Sequence, residues 1–241
     1  MNDRLRDPVS YEFKAVFMSG YTIKHFFTRN PWISPLTRKG LSLFNTCMRR
    51  NFFQTRSQRV RTLKFLNIGC GKKMIDHTIN LNYEWYPKID LAWDVVKWKL
   101  PFQEGHLSGI YTEHVLEHLP PSCLPDVLQE WRRCLKPGGG LRVLVPDAEL
   151  YLRTYCKIKD GIDEKFPYHM DDATPMDHVN RVFRSFEHLY AYDFETMAKL
   201  LGEAGFVDIQ KCGHQEGRVR ELLLDSDERE AESLRIECFA P

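Results

Sequence analysis

The chain has 241 residues, 43% of them hydrophobic, and a net charge of only +1; that is enough for one full core and an accessory piece. Seven cysteines, scattered from Cys47 to Cys238 with no Cys-x-x-Cys pair, argue against a disulfide framework or a zinc finger and for reduced thiols in a cytoplasmic protein. No run reaches ~18 apolar residues, and the opening Asn2, Asp3, Arg4, Arg6 and Asp7 are not those of a signal peptide.

Residues 1–60 form a basic, aromatic preface. Residues 1–62 hold 12 Lys/Arg against 3 Asp/Glu and the rest hold 22 against 30, a split of +9 and −8. From Ser10, a candidate N-cap, Phe13, Val16, Phe17, Ile23, Phe26 and Phe27 follow rough helical spacing. After the breaks at Asn30-Pro31 and Ser34-Pro35, Leu36 to Phe52 suggests a second helix. Helices packed on the main domain are one reading. A surface for something anionic is the other, since basic residues among large aromatics suit a lipid headgroup boundary and also phosphate.

The main domain is expected over 61–241. Leu63, Phe65, Leu66 and Ile68 make a short apolar run that stops at Gly69-Cys70-Gly71, a buried strand entering a tight turn. Further strands are predicted near Thr78–Asn82, Ile89–Trp93, Gly109–Thr112, Leu141–Val145, Val207–Lys211 and Leu234–Phe239. The clearest helix covers 122–136, with Ser122 as N-cap and Val127, Leu128, Trp131 and Leu135 on one face, and Lys136-Pro137-Gly138-Gly139-Gly140 turns it into the fifth strand. Strands alternating with helices imply an α/β fold, a Rossmann-like and mainly parallel seven-stranded sheet with helices on both faces. Residues 151–190, with turns at Asp160-Gly161 and Phe166-Pro167, read as an acidic insertion on the acceptor side.

In such sheets ligands lie beyond the carboxyl ends of the strands. There stand Asn67, Gly69, Cys70 and Gly71, then Asn82 with Glu84, then Asp94 and Val95, and then Tyr111-Thr112-Glu113-His114-Val115-Leu116-Glu117-His118. After the fifth strand comes Asp147, and His188 stands before Leu189-Tyr190-Ala191-Tyr192. The third glycine of a dinucleotide fingerprint is replaced by Met74, which disfavours a nicotinamide enzyme. His114 and His118 have i, i+4 spacing, but His-Val-Leu-Glu-His is not the His-Glu-x-x-His metalloprotease order, and Asp171, Asp172 and Asp177 fit no calcium loop. No metal site is expected.

Taken together, "FLNIGCGKK", "IYTEHVLEHL" and "EWRRCLKPGGGLRVLVPD" make the chain resemble class I S-adenosylmethionine-dependent methyltransferases. More narrowly it is similar to the type-11-like predicted methyltransferases associated with polysaccharide biosynthesis. The resemblance is strong over 63–150 and looser through 187–206 and 232–240. It implies S-adenosyl-L-methionine as cofactor, bound by Asn67 among others, with Gly69, Cys70 and Gly71 around its methionine end, Asn82 at the ribose, and Asp94 with Val95 at the adenine. Glu113 and His114 would lie near the methyl group. The implied reaction is O-methylation of a sugar, glycan or glycolipid. His114 or His188 would be the base with Asp147 orienting it, because a hydroxyl is a poor nucleophile until its proton is removed. Alternatives are a silent cofactor-binding partner, or an enzyme acting on another small molecule or on nucleic acid. The last is disfavoured, since Thr112-Glu113-His114 replaces the Asn/Asp-Pro-Pro-Tyr/Phe motif of amino-methylating DNA enzymes. A peripheral membrane contact through 1–60 completes the expectations.

Overall fold

The structure, a computed structural model, describes residues 52–85, 88–168 and 170–241. The helices expected from Ser10 and from Leu36, and the anionic surface expected of the preface, lie outside the described residues, apart from a short helical turn at Phe52–Thr55.

Seven strands form one sheet in the order β3-β2-β1-β4-β5-β7-β6: β1 (Phe65–Ile68), β2 (Ile79–Asn82), β3 (Leu91–Ala92), β4 (Leu107–Glu113), β5 (Leu135–Pro146), β6 (Val207–Lys211) and β7 (Ser233–Phe239). The first five run parallel and β7 is antiparallel to both its neighbours. The chain direction reverses sideways at β1, so β1, β2 and β4 end together along one crest. The expected mainly parallel, Rossmann-like sheet is the observed one.

The helices are α1 (Gln58–Thr62), α2 (Leu124–Cys134), α3 (Ala148–Lys159), α4 (Pro175–Arg184) and α5 (Phe194–Glu203). Val60 of α1, Leu128 and Trp131 of α2, and Met197 and Leu201 of α5 pack with Leu66, Ile68 and Ile110 in the main core. On the other sheet face Tyr111 and Leu144 pack under Leu222, carried by a 3-10 turn at Arg220–Leu222. Between β1 and β2 no helix forms among the described residues. Instead Asn80 ties the connection down, its Oδ1 accepting Ile75 N–H at 2.9 Å and its Nδ2 donating to the Ile75 carbonyl at 3.0 Å.

Two boundaries differ from expectation. Ser122 is not the N-cap of α2. A separate 3-10 turn spans Pro121–Cys123, so Leu124-Pro125 opens the helix. The Lys136–Gly140 stretch is not a free turn either. It continues β5 back to Leu135, with Leu135 paired to Leu107 and Gly138 N–H bonded to the Ala240 carbonyl. Residues 151–190 hold most of α3 and all of α4. Asp177 belongs to a capping box there, its carboxylate accepting from Thr174 N–H at 2.8 Å while the Thr174 hydroxyl accepts Asp177 N–H at 3.3 Å.

Candidate functional site

The turn after β1 is built by left-handed backbone, φ 77° at Gly69 and 53° at Gly71. Gly69 and Cys70 N–H groups donate to the Leu81 carbonyl at 2.8 and 3.1 Å, folding the turn over the end of β2. A Cβ on Gly69 would collide with Val115 Cγ2, whereas one on Gly71 meets no atom within 4 Å. Gly69 is thus required by the fold, whereas the space beside Gly71 is open. Burial, with the Asp90 charge nearby, pushes the Cys70 thiol up to about 12, so it is a neutral wall and not a nucleophile.

Asn82 braces this turn. Its Oδ1 accepts Gly71 N–H at 3.4 Å and its Nδ2 donates to the Glu84 carbonyl at 3.1 Å. Asp94, 5% exposed, accepts Val96 and Lys97 N–H groups at 3.2 Å each and so caps the turn after β3. Val95 packs against the main core. Asn67 is buried, with Nδ2 3.4 Å from Asn80 Oδ1.

Beside the turn lies a cavity of about 420 Å³ walled by Asn67, Gly69, Cys70, Lys73, Glu113, His114 and Arg229, among others. Of the predicted cofactor residues, Asn67, Gly69, Cys70 and Glu113 meet at this cavity together with His114. Gly71, Asn82, Asp94 and Val95 are not in its wall, although they follow the ends of neighbouring parallel strands. A larger hollow of about 560 Å³ lies around Leu63, Lys64 and Arg220, at the opposite end of β1 from the crest. Lys73, Lys72 and Arg229 supply cations to the crest cavity, and Glu113 and Glu228 supply carboxylates. That mixture suits a ligand carrying both an ammonium and a carboxylate.

Glu113 accepts from Ser226 N–H at 3.1 Å and from Ser226 Oγ at 2.5 Å, joining β4 to the connection before β7. His114 has φ 51° and a side chain only 7% exposed. Arg229 Nη1 lies 3.0 Å from its Nδ1 and Ser233 Oγ lies 2.9 Å from its Nε2. Because an arginine only donates, Nδ1 accepts and the proton sits on Nε2. Burial, reinforced by the Arg229 charge, lowers the His114 imidazole to about 2. A ring with both nitrogens engaged is a positioning group and not a free base.

His188 stands elsewhere, packed edge-on against His118 with ring centroids 4.9 Å apart. Its Nδ1 lies 2.7 Å from the Val182 carbonyl, so Nδ1 carries the proton and Nε2 the lone pair. Asp147 approaches neither histidine. Its carboxylate accepts Leu150 N–H at 3.1 Å, as N-cap of α3, and meets Lys211 Nζ at 3.4 Å. The orienting role expected of Asp147 is therefore not what this geometry provides. Nothing in the sequence singles out Arg229 or Ser233. Glu117 was visible within "TEHVLEHL", but its meeting with His188 depends on the packing of distant segments and has no local signal.

A family model described as a methyltransferase domain matches residues 48–211. No curated protein matches the sequence. Among solved structures, a SAM-dependent methyltransferase from Archaeoglobus fulgidus is 15% identical, with 91% of this chain and 98% of that one covered and a TM-score of 0.47. A possible exported protein from Bordetella parapertussis is 15% identical over 93% of this chain and 80% of that one, with a TM-score of 0.45. A Haemonchus contortus phosphoethanolamine N-methyltransferase 2 in complex with S-adenosyl-L-methionine is 11% identical over 90% of this chain and 59% of that one, with a TM-score of 0.42.

Proposed function

This chain belongs to the methyltransferase-domain family, and we propose that it transfers a methyl group from S-adenosyl-L-methionine to a hydroxyl of a sugar, glycan or glycolipid intermediate. The observation that carries the reading is the crest cavity, which adjoins the Gly69-Cys70 turn and has a wall bearing both cations and carboxylates. Lys73 and Arg229 suit the carboxylate of a bound amino acid moiety, and Glu113 and Glu228 its ammonium. Asn82 and Asp94 continue the crest on the side assigned to ribose and adenine. When bound, the cofactor supplies a methyl carbon already activated by a sulfonium.

The protein's own work is then mainly alignment, holding the acceptor oxygen in line with that carbon at about 3 Å. His114, fixed by Arg229 and Ser233, keeps the wall between cavity and acceptor side rigid. On the acceptor side His188, whose Nε2 carries the lone pair, is the group that receives the hydroxyl proton. Exposed Phe186, Leu189 and Tyr190 on the same strap offer flat apolar surface to a sugar ring. Residues 151–190 shape that side within a transferase domain over 61–241. Residues 1–60 form an extension that brings the enzyme to an anionic lipid surface at the cytoplasmic face. No described helix is long and apolar enough to cross a membrane.

A second reading, a silent cofactor-binding partner, draws on the locked His114 and on an asparagine where a ribose-binding carboxylate is usual. Incubation with labelled cofactor and lipid-linked or free glycans separates the two. Label in the glycan with release of S-adenosylhomocysteine supports the enzyme. Cofactor binding with no transfer to any glycan pool supports the silent partner.

A further inference from the structure

Three donor groups converge behind His114. Glu117 and His118 lie on a 3-10 turn at Leu116–His118, and His188 directly follows another at Ser185–Glu187. One donor atom from each lies within 4.8 Å of the others, and Glu117 Oε1 is 3.8 Å from His118 Nε2. Glu117 is 1% exposed; His114 Nδ1 lies 3.4 Å from its Oε1, but no side chain donates a hydrogen bond to either carboxyl oxygen. A buried carboxyl left unsatisfied on both oxygens is costly unless something completes it.

The histidines are arranged for the same end. Nδ1–H of His188 is held by the Val182 carbonyl, the outer contact that orients a ligating imidazole and turns its Nε2 lone pair inward. The two imidazole rings meet edge-on with centroids 4.9 Å apart. The strap is forced into place. Phe186 and Glu187 take consecutive left-handed φ of 58° and 65°, and Leu189 and Tyr190 N–H groups bond the Glu117 carbonyl at 2.7 and 3.3 Å. Consecutive non-glycine residues in that region persist only where the surroundings over-determine them.

We propose that Glu117, His118 and His188 bind a divalent first-row transition cation, with Zn²⁺ the best match. Two imidazoles and one carboxylate with an open position form a donor set suited to such a metal and not to Mg²⁺ or Ca²⁺. A tetrahedral zinc sets donors about 3.4 Å apart, which small side-chain rotations reach from the present spacing. The neighbouring cations Arg181 and Arg229 both lie on Glu232, at 3.4 and 3.1 Å, so their charge is already partly met. The cation's use rests on the transferase reading: its open position would take the acceptor hydroxyl and lower that group's pKa, so that the proton leaves to solvent water in place of a histidine base. Its binding does not rest on that reading.

The test is calorimetric titration of the full chain with Zn²⁺, repeated with Co²⁺ followed by visible absorption. One equivalent is expected, with Co²⁺ bands of nitrogen and oxygen ligation and no thiolate charge-transfer band. Affinity should fall at least ~10-fold in His118→Ala, His188→Ala and the near-isosteric Glu117→Gln, with circular dichroism showing that each variant is folded. Absence of stoichiometric binding to the wild type, or binding unchanged in all three variants, would overturn the site. Metal bound as described in a chain without transfer activity would leave the site standing and count against the transferase reading.

Discussion

The guanidinium of Arg142 meets the carboxylate of Asp225 in two hydrogen bonds, 2.7 Å from Nε to Oδ1 and 2.5 Å from Nη2 to Oδ2, with both side chains fully removed from water. Arg142 also donates from Nη1 to the Glu216 carbonyl at 2.7 Å and from Nη2 to the Gly213 carbonyl at 3.2 Å. Burial alone would raise the Asp225 carboxyl, but the hydrogen bonds and charge of Arg142 hold it below the usual range. This pair pins the connection between β6 and β7 to the sheet, and that connection supplies Ser226, Glu228 and Arg229 to the crest cavity. Removing one partner strands the other. Asp225→Ala is therefore expected to destabilise the fold by about 3–5 kcal/mol, read by urea unfolding.

Gly69 and Gly71 should separate fold from ligand. Gly69→Ala places a methyl group against Val115 at positive φ and should lower the thermal midpoint strongly. Gly71→Ala meets no protein atom, so its penalty is the left-handed backbone alone, about 1–2 kcal/mol. The folded Gly71→Ala protein is nevertheless expected to lose at least ~10-fold in S-adenosylmethionine affinity, because its methyl group occupies that open space. Calorimetry and melting curves on the same samples make the comparison.

Glu117 gives the clearest pH signature. Burial, with the Glu232 and Glu113 charges, raises its carboxyl from 4.5 to about 8, against the lowering effects of its own backbone N–H and of Arg229. Between those values the unfolded chain has lost this proton and the folded chain keeps it. The unfolded state thus binds fewer protons, and the Glu117 contribution to stability falls as pH rises through that window. Glu117→Gln should remove that fall. Its stability relative to wild type should improve by a few kcal/mol from pH 5 to pH 8, measured by urea unfolding at each pH without added metal.

His114 should behave as a positioning residue. Replacing it with alanine leaves Ser233 Oγ without its partner, at about 1–3 kcal/mol, while Arg229 Nη1 keeps Glu232 at 3.1 Å. Because its imidazole is lowered to about 2, no inflection in the pH–rate profile from pH 5 to pH 9 should vanish in His114→Ala. Disappearance of such an inflection would make His114 the base.

Much of this was legible in the sequence because it is local. The Leu63–Ile68 run ending in Gly69-Cys70-Gly71 marks β1 and its turn, and alternation of strands and helices gives a parallel sheet. Thr174-Pro175 with Asp177 carries a readable capping box for α4, but the acidic character of 151–190 hid it. The crest was legible as a list of strand ends, while the tasks of those residues were not. Asn82 braces Gly71, Glu113 anchors Ser226, and Asp147 caps α3, each through partners that only the folded chain brings near. His118 and His188 are far apart in sequence and their contact rests on a strained strap, a feature with no sequence periodicity.

The central claim is that the cofactor lies on the crest between the Gly69–Gly71 turn and His114. The most direct measurement is calorimetric titration of the full chain with S-adenosylhomocysteine, alongside Gly71→Ala and Glu113→Gln. Saturable one-to-one binding to the wild type, weakened at least ~10-fold in both folded variants, is the predicted result. No binding to the wild type, or binding that neither substitution changes, would contradict it.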